Sequence, residues 1–289
     1  MGTQHKVAVR PIEVDDLPAV SAFLHENLNQ RVPVEGWARA VAVPWQVAQP
    51  NAGFMLVAGT AITGVHLAFY ADRQIEGQLE RFCNLGAWCV LPDYRIHGIR
   101  LLRALLAQEG YTFTDLSPSG NVVSINSRLG FSFLDTTTSL MPNLPWPSRP
   151  RRDTITSDPA LLERTLQGTE LQYYRDHAGA SAAKHLLLMR GQRSCYVVFR
   201  KDRRKGMPLF ASLLYVSDPE LFLGMARPLA RHLLVRERIF ATLIEGAVVP
   251  RAPRFAVKLT SSRRKMFRSD HLQSSQIDFL YSELACLSW

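Results

Sequence analysis

The amino-acid sequence predicts an α+β protein with two domains, each a mixed, mostly antiparallel sheet flanked by helices. Its 289 residues, at ~150 per domain, are enough for two hydrophobic cores. Short β-rich runs alternate with amphipathic helical patterns in both halves, and residues 142–150 (PNLPWPSRP) hold four prolines in nine positions. We therefore predict domains over residues 1–141 and 151–289, joined by this proline-rich linker.

Composition and cysteine usage favour a globular protein of a reducing compartment. The chain is 47% hydrophobic and 20% charged, which is too apolar for a disordered protein. Its four cysteines (83, 89, 195 and 286) include no Cys-x-x-Cys pair, so we predict neither a metal site nor a disulfide framework. The first residues lack the apolar core of a signal peptide, and we expect a cytoplasmic protein.

The first elements follow the order strand, helix, helix, hairpin. Residues 6–10 are β-rich, and apolar residues then recur at helical spacing between residues 17 and 28. A short helix is predicted over residues 35–41. Residues 53–70 (GFMLVAGTAITGVHLAFY) carry no charge, but Gly59-Thr60 divides them into two β-rich runs. We therefore predict a hairpin here and no membrane-spanning helix.

Predicted strands and helices continue to alternate to the end of the first half. A strand over residues 82–90 ends at Leu91-Pro92, and a helix with one apolar side follows until Gly110. Residues 111–116 form the next strand, and residues 119–129 the next helix, with Gly130 suited to its C′ position. Two short strands, 131–134 and 137–141, complete this half.

The second half shows a similar order of elements. Helices are predicted over residues 158–167 and 219–238, and strands near residues 185–190, 195–200, 209–216, 240–249, 254–260 and 276–287. Because the order matches while the residues differ, the second half is interpreted as a diverged copy of the first.

One strand–turn–helix segment, residues 84–103, has the features of an anion site. The strand runs into a proline and then into Arg95-x-x-Gly98 before the helix begins. Backbone N–H groups at a helix N-terminus attract anions, and Gly98 would allow a ligand close to the backbone. A simple turn containing a glycine remains the alternative from these residues alone.

Two motifs in this half resemble those of the GNAT acyltransferase superfamily. V-L-P-D-Y-R-I-H-G-I-R (Val90 to Arg100) is similar to its acyl-CoA pyrophosphate loop, V-x-P-x-[YF]-[RQ]-x-x-G-x-[GA]. N-S-R-L-G-F (Asn126 to Phe131) resembles the end of its fourth helix. The resemblance covers the entire first half and implies a tandem protein, with an N-terminal acyl-CoA-binding domain and a degenerate GNAT-like second domain.

The resemblance also implies a donor and the residues that hold it. The cosubstrate would be acetyl-CoA or another acyl-CoA, without a metal. A backbone N–H near Cys89 and Val90 would polarise the thioester carbonyl. The loop that holds the pyrophosphate would comprise Arg95, Ile96, His97, Gly98, Ile99 and Arg100.

Three positions depart from the family pattern. Arg100 replaces a Gly or Ala, so its side chain would either crowd the helix N-terminus or reach the phosphates. Asn84 stands where the family often has a Glu general base, and Asn126 where it often has a Tyr general acid. Since an amide does not titrate, the other proton carriers are water, Glu80 just before the strand, and His66 on the preceding strand.

The second half carries the positive charge of the chain. The net charge is −2 over residues 1–147 and +11 over residues 148–289. Basic clusters lie at residues 200–205 and 263–268, without a nucleic-acid-binding motif, so we expect no nucleic-acid partner. Asp218 and Glu220 stand where a pyrophosphate would bind, which disfavours a second CoA site. An acidic partner, either a carrier protein or a polyanion, fits this charge.

The leading hypothesis is a cytoplasmic acyl-CoA-dependent N-acyltransferase that transfers an acetyl or other acyl group to an amine of unknown acceptor. The alternative is a non-catalytic acyl-CoA sensor or adaptor, which the two asparagines favour. A further alternative is an acyltransferase whose donor is an acyl carrier protein, docked on the basic second domain.

Overall fold

The computed structural model describes residues 6–147, 153–204 and 207–288, and their side chains except at positions 203, 204, 207 and 208. The predicted linker is thus described only to Pro147, and the basic tip at Lys205 lies outside the described residues. The first half contains β1 (Val7–Pro11), α1 (Leu17–Asn27), α2 (Val34–Val41), β2 (Gly53–Ala58), β3 (Ala61–Ile75), β4 (Gln78–Val90), α3 (Gly98–Leu106), β5 (Thr112–Asp115), α4 (Val122–Arg128), β6 (Ser132–Phe133) and β7 (Thr138–Pro142).

The second half begins at a strand that the sequence did not indicate. Its elements are β8 (Asp153–Thr156), α5 (Pro159–Thr165), α6 (Gly168–His177), β9 (Ala183–Arg190), β10 (Arg193–Arg204), β11 (Met207–Val216), α7 (Pro219–Gly224), α8 (Ala226–Val235), β12 (Ala241–Glu245), β13 (Val257–Lys258), β14 (Met266–Arg268) and α9 (Glu283–Cys286).

The strands form two sheets. Within the described residues each has seven strands, in the orders β1-β2-β3-β4-β5-β14-β6 and β13-β7-β12-β11-β10-β9-β8. Pairing is antiparallel except between β4 and β5 and between β11 and β12. The predicted fold class is therefore confirmed, as is the hairpin of β2 and β3. No helix in the described part of the chain is long and apolar enough to cross a bilayer.

The two sheets exchange strands. β7 pairs with β12 and β13 in the second sheet, although it precedes the proline-rich segment. Conversely, β14 lies between β5 and β6 in the first sheet. The limits 1–141, 142–150 and 151–289 stay a prediction, but hydrogen bonding crosses them in both directions.

The C-terminal segment, residues 271–287, differs most from the prediction. The expected strand over 276–287 is wrong: a 3-10 turn (Ser274–Gln276) and the short α9 lie there. Its apolar residues are buried between the halves rather than on one face of a sheet, so they form no ladder. They are Leu272, Ile277, Phe279, Leu280, Tyr281, Ala285, Cys286 and Leu287.

Four further differences are local. The predicted helix 219–238 is interrupted at Met225, which leaves α7 and α8. The strand expected over 254–260 is reduced to β13, and the sequence did not indicate α6 or β14.

Both faces of the first sheet are covered. α1, α2 and the C-terminal segment pack on one face, together with part of the second sheet, so the halves share one core. α3 and α4 pack on the other face, against residues such as Tyr70 and Phe113. The face of the C-terminal segment is therefore the one where the two halves meet.

Arg73 and Asp278 tie β3 to the C-terminal segment. The Arg73 guanidinium is buried, pairs with Asp278 and lies over the ring of Phe82 at 4.9 Å. Asp278→Asn would leave this cation without its carboxylate. Breaking a fully buried pair costs ~3–5 kcal/mol. Because the Asp278 side chain is 20% exposed, we expect the free energy of unfolding to fall by about 2 kcal/mol.

Urea denaturation measures this loss. Glu220→Gln is the matched control, because it breaks the exposed pair of Glu220 with Arg251 and should change the free energy of unfolding far less. Equal effects of the two substitutions would contradict a clamping role for Asp278.

Candidate functional site

A cleft of 820 Å³ opens where the two halves meet. Its first-half wall comes mainly from the ends of β4 and β5, and its second-half wall from β10, β11, β12 and the loop before β14. β4 and β5 pair only from Phe82–Thr112 to Asn84–Thr114. Beyond Asn84 the described strands diverge, and this divergence produces the opening.

A β-bulge at Ala87 lies beside the cleft. His66 pairs with Trp88 while Leu67 pairs with Gly86, so Ala87 is the extra residue, and its φ of 43° is left-handed. A bulge bends its strand and increases the local twist. The bulge lies three residues beyond the last pair between β4 and β5, on the part of β4 that has separated from β5.

The edge of β4 beyond the bulge presents a backbone donor to the opening. The N–H of Leu91 donates to Thr63 O at 2.9 Å, so it points toward β3. Because successive N–H groups of a strand point to opposite edges, the N–H of Val90 points away from β3. Of the predicted pair, Val90 presents its amide to the open edge, and Cys89 presents its amide to β3.

The predicted anion loop forms a 3-10 turn, Pro92–His97, followed by α3. His97 is the N-cap of α3 and its side chain makes no capping hydrogen bond. The N–H of Gly98 donates to Arg95 O in the preceding turn, and no side chain caps the N–H groups that follow it. Arg95 and Ile96 are exposed, whereas His97 and Ile99 are half-buried.

The corresponding junction of the second half is capped. Asp218 accepts a hydrogen bond from Leu221 N at 2.9 Å and pairs with Arg193 at 2.6 Å. A carboxylate thus occupies the helix N-terminus where an anion would bind. As the sequence predicted, a carboxylate lies at the helix N-terminus of the second-half junction, whereas no side chain caps α3 at the junction of the first half.

Gly98 and Arg100 have different surroundings from those expected. Gly98 has ordinary helical φ and ψ, −55° and −40°, and its Cα faces β4, where an added Cβ would lie 3.4 Å from Val90 Cγ2. Arg100 donates from Nη1 to Val7 O at 3.0 Å. Its guanidinium is therefore fixed on β1, and the two positions predicted for it, over the helix N-terminus or at the phosphates, are not the ones found.

His66 lines the cleft with its ring stacked on Trp88, at 4.7 Å between centroids and 6° between planes. Its Nδ1 is buried and has no hydrogen-bond partner among the described residues. Burial lowers the pKa of His66 to about 3. The imidazole is therefore neutral at pH 7 and a weak base.

The structure does not bring Glu80 to the cleft. Its Oε2 lies 2.9 Å from Nε2 of His271, at the start of β4. Asn84 is four residues further on, about 13 Å along the strand, and the opening begins beyond it. Glu80 is not among the residues that line the cleft, and its carboxylate lies beside His271 instead.

Asn84 and Asn126 are fully buried and hold elements together. Asn84 donates to Thr114 Oγ1 at 3.0 Å and accepts from the N–H of Glu283 at 3.1 Å. Asn126 donates from Nδ2 to Asp115 Oδ2 at 2.8 Å. Neither amide lines the cleft, so both position the residues around it.

Asp115, Ser117 and Glu283 are three polar residues that the sequence did not single out. Hydrogen bonds link them to Asn84 and Asn126. Asp115 ends β5 and lines the cleft, and burial raises its pKa to about 6. Ser117 also lines the cleft and donates from Oγ to Glu283 Oε1 at 2.6 Å. The sequence could have indicated Asp115, because it is a carboxylate at the end of a buried strand. The sequence could not have indicated Glu283, because its hydrogen-bond partners Ser117 and Asn84 are 166 and 199 residues away.

The cysteines are buried and free of disulfides. Burial raises the pKa of the Cys83 and Cys89 thiols. Both are therefore thiols rather than nucleophilic thiolates at pH 7. Within the described ranges, no group of three or more His, Cys, Asp and Glu side chains is arranged to hold a metal ion.

Solved structures share this fold. A GCN5-related N-acetyltransferase from Anabaena variabilis superposes with a TM-score of 0.58 at 12% identity, over 91% of this chain and 72% of that one. A putative acetyltransferase from Pyrococcus horikoshii gives 0.54 at 12% identity, over 97% and 94%. Saccharomyces cerevisiae N-myristoyltransferase with bound myristoyl-CoA gives 0.51 at 9% identity, over 100% and 86%.

No family model and no curated protein matches the sequence. The structural likeness therefore rests on the fold. The chain has the two-domain fold of GCN5-related N-acetyltransferases, and the resemblance predicted from the two motifs is confirmed at that level.

Proposed function

We propose that the protein is an acyl-CoA-dependent N-acyltransferase whose donor binds along the open edge of β4. The observation that supports this proposal is the continuity of that edge, from the bulge at Ala87 to the N-terminus of α3, which no side chain caps. The fold of the N-acetyltransferases above supports the reaction class.

The donor's pyrophosphate would lie on the N–H groups of α3 and the turn before it. N–H groups without a side-chain cap and the helix dipole favour anions, and Arg95 is exposed on this loop. The pantetheine arm would follow β4 toward the bulge. By the alternation of N–H groups along β4, those of Val90 and Trp88 both point away from β3, and the one nearer the bulge would donate to the thioester oxygen as negative charge develops on it.

The acceptor amine would enter through the cleft between the halves, on the face of the C-terminal segment. Its walls are polar on the second-half side, where charged and hydroxyl side chains line it: Arg200, Asp202, Ser212, Glu245 and Lys265. A polar amine fits such walls better than an apolar one.

Arg100→Ala is expected to leave the dissociation constant of acetyl-CoA within about threefold of wild type. The guanidinium is fixed on Val7 O, so its loss removes no donor from the loop. Arg95→Ala, on the exposed side of the loop, should weaken binding about tenfold because a charge-assisted contact to phosphate is lost. Calorimetry compares the two variants, and an equal loss in both would contradict the placement of Arg100.

The non-catalytic alternative is supported by the two asparagines at the customary acid and base positions. It predicts donor binding without turnover. The carrier-protein variant stays a prediction from the charge of the second half.

The proposal is tested by calorimetry followed by a turnover assay. Acetyl-CoA should bind with a stoichiometry of one, because Asp218 blocks the corresponding junction of the second half. CoA release should then be seen with acetyl-CoA and a panel containing a polyamine, an amino sugar, an aralkylamine and a peptide with a free N-terminus. Absence of binding would overturn the proposal, and binding without acylation of any amine would favour the sensor.

A further inference from the structure

The C-terminal segment places a buried carboxyl group at the bulge. Glu283 is fully buried, and its Cβ lies 3.2 Å from where a Cβ on Gly86 would be. Its backbone N–H donates to Asn84 Oδ1 at 3.1 Å, and Leu284 beside it lines the cleft. Glu283 is therefore held from both sides at the point where β4 and β5 part.

The two oxygens of Glu283 are used unequally. Oε1 accepts the hydrogen bond from Ser117 Oγ at 2.6 Å, whereas Oε2 is buried and has no partner among the described residues. Asp115 differs, since Oδ2 accepts from Asn126 and Oδ1 accepts from the N–H of Ser117 at 3.3 Å. One oxygen of Glu283 therefore still has its lone pairs available to bind a proton. Both oxygens of Asp115 already accept hydrogen bonds.

The charged groups around Glu283 leave it without a cation of its own. Arg200 pairs with Asp202 and Lys265 pairs with Glu245, while Asp115 and Glu283 have no ion pair in the described part of the chain. The titratable and charged groups that face Glu283 are Asp115, Arg200, Lys265 and Cys286.

Negative charge thus exceeds positive charge in this buried network. Burial is the main cause that raises the pKa of Glu283, to about 7, and Asp115 raises it further. A site of this kind gains from an incoming cation or proton.

We propose that Ser117 and Glu283 form the proton-accepting pair of the cleft, and that the acceptor substrate is an amine that arrives as an ammonium cation. This rests on the proposed acyl-transfer function. Ser117 is the group that touches the substrate, and Glu283 acts through it.

Ser117 Oγ takes a proton from the ammonium group while its own proton moves to Glu283 Oε1. The freed lone pair of the amine attacks the thioester carbon, a C–N bond forms, and the C–S bond breaks. The second amine proton goes to the departing thiolate, and Glu283 returns its proton to solvent.

Glu283→Gln tests the pair. Glutamine keeps the volume and an oxygen that accepts from Ser117 Oγ, but it cannot take up the proton. We expect kcat to fall about 100-fold, at the lower end of what acid–base groups contribute. The dissociation constant of acetyl-CoA should stay within threefold. In wild type, kcat should rise with pH through about 7 and then level off, and the variant should lack this limb.

Two further variants complete the experiment. Ser117→Ala should lower kcat similarly and also keep the affinity for acetyl-CoA. Glu170→Gln, at a half-buried glutamate on α6 whose pKa burial also raises, lies outside the cleft lining and should leave kcat and its pH profile unchanged. The assay uses acetyl-CoA with the amine of the panel that wild type acylates fastest.

Failure of the Ser117–Glu283 pair can be distinguished from failure of the proposed acyl-transfer function. If Glu283→Gln and Ser117→Ala acylate that amine at the wild-type rate with the wild-type pH profile, the pair is wrong and the transferase stands. If wild type acylates no amine although acetyl-CoA binds, the proposed function is wrong and the pair falls with it.

Discussion

Gly98→Glu is expected to weaken acetyl-CoA binding at least ~100-fold, which corresponds to about 2.7 kcal/mol. The added side chain would start against Val90 and Trp88 on β4 and carry a carboxylate to the first turn of α3, beside the proposed pyrophosphate position. Like charges ~4 Å apart repel by about 4 kcal/mol at an effective dielectric near 20, so the loss is of the expected size. Calorimetry with acetyl-CoA measures it.

Gly98→Ala is the matched control. Its Cβ would lie 3.4 Å from Val90 Cγ2 and 3.7 Å from Trp88 Cζ2, which is ordinary contact, and the backbone there is helical. The alanine variant should therefore fold and keep its affinity within about threefold. If both variants bind acetyl-CoA like wild type, the loop does not hold the donor.

The first half could be predicted closely because its signals are local. The hairpin over β2 and β3, the proline that ends β4 and the loop before α3 each lie within a few residues of their cause. The loop motif also located the N-terminus of α3, which no side chain caps. Elements of this kind need no knowledge of distant residues.

The C-terminal segment could not be predicted, because its conformation depends on distant partners. Residues 276–287 are apolar enough for a strand, yet they fill the space between the halves, with Asp278 on Arg73 and Glu283 on Ser117. Nothing near Glu283 in sequence indicates those contacts. The strand exchange of β7 and β14 is hidden for the same reason.

Glu80 illustrates a second limit. Its position just before a strand made it a candidate for the base, but a sequence pattern does not tell at which end of a strand a sheet opens. The bulge at Ala87 moves the opening to the end of β4, away from Glu80. An alanine at left-handed φ gives no signal of its own, since glycine is the usual residue there.

Glu283→Gln is also expected to change how stability depends on pH. In wild type, burial holds the pKa of Glu283 at about 7, above the ordinary value of 4.5. Between these values the folded protein keeps a proton that the unfolded chain has lost. Rising pH therefore lowers the free energy of unfolding across this window, by about 3 kcal/mol in total for this group.

Other buried groups titrate in the same range, so the difference between variant and wild type is the informative quantity. His66 and His185, whose pKa values burial lowers to about 3 and about 4, raise stability as pH rises toward 6.5. Both histidines are present in the variant and in wild type, so their contributions cancel in the difference in free energy of unfolding between the two proteins. Urea denaturation at pH 4.5 and pH 7.5 should show the variant gaining about 3 kcal/mol on wild type between the two conditions. A difference that stays constant with pH would mean that the Glu283 carboxyl ionises at its ordinary value, and the buried network would then lack the excess negative charge assigned to it.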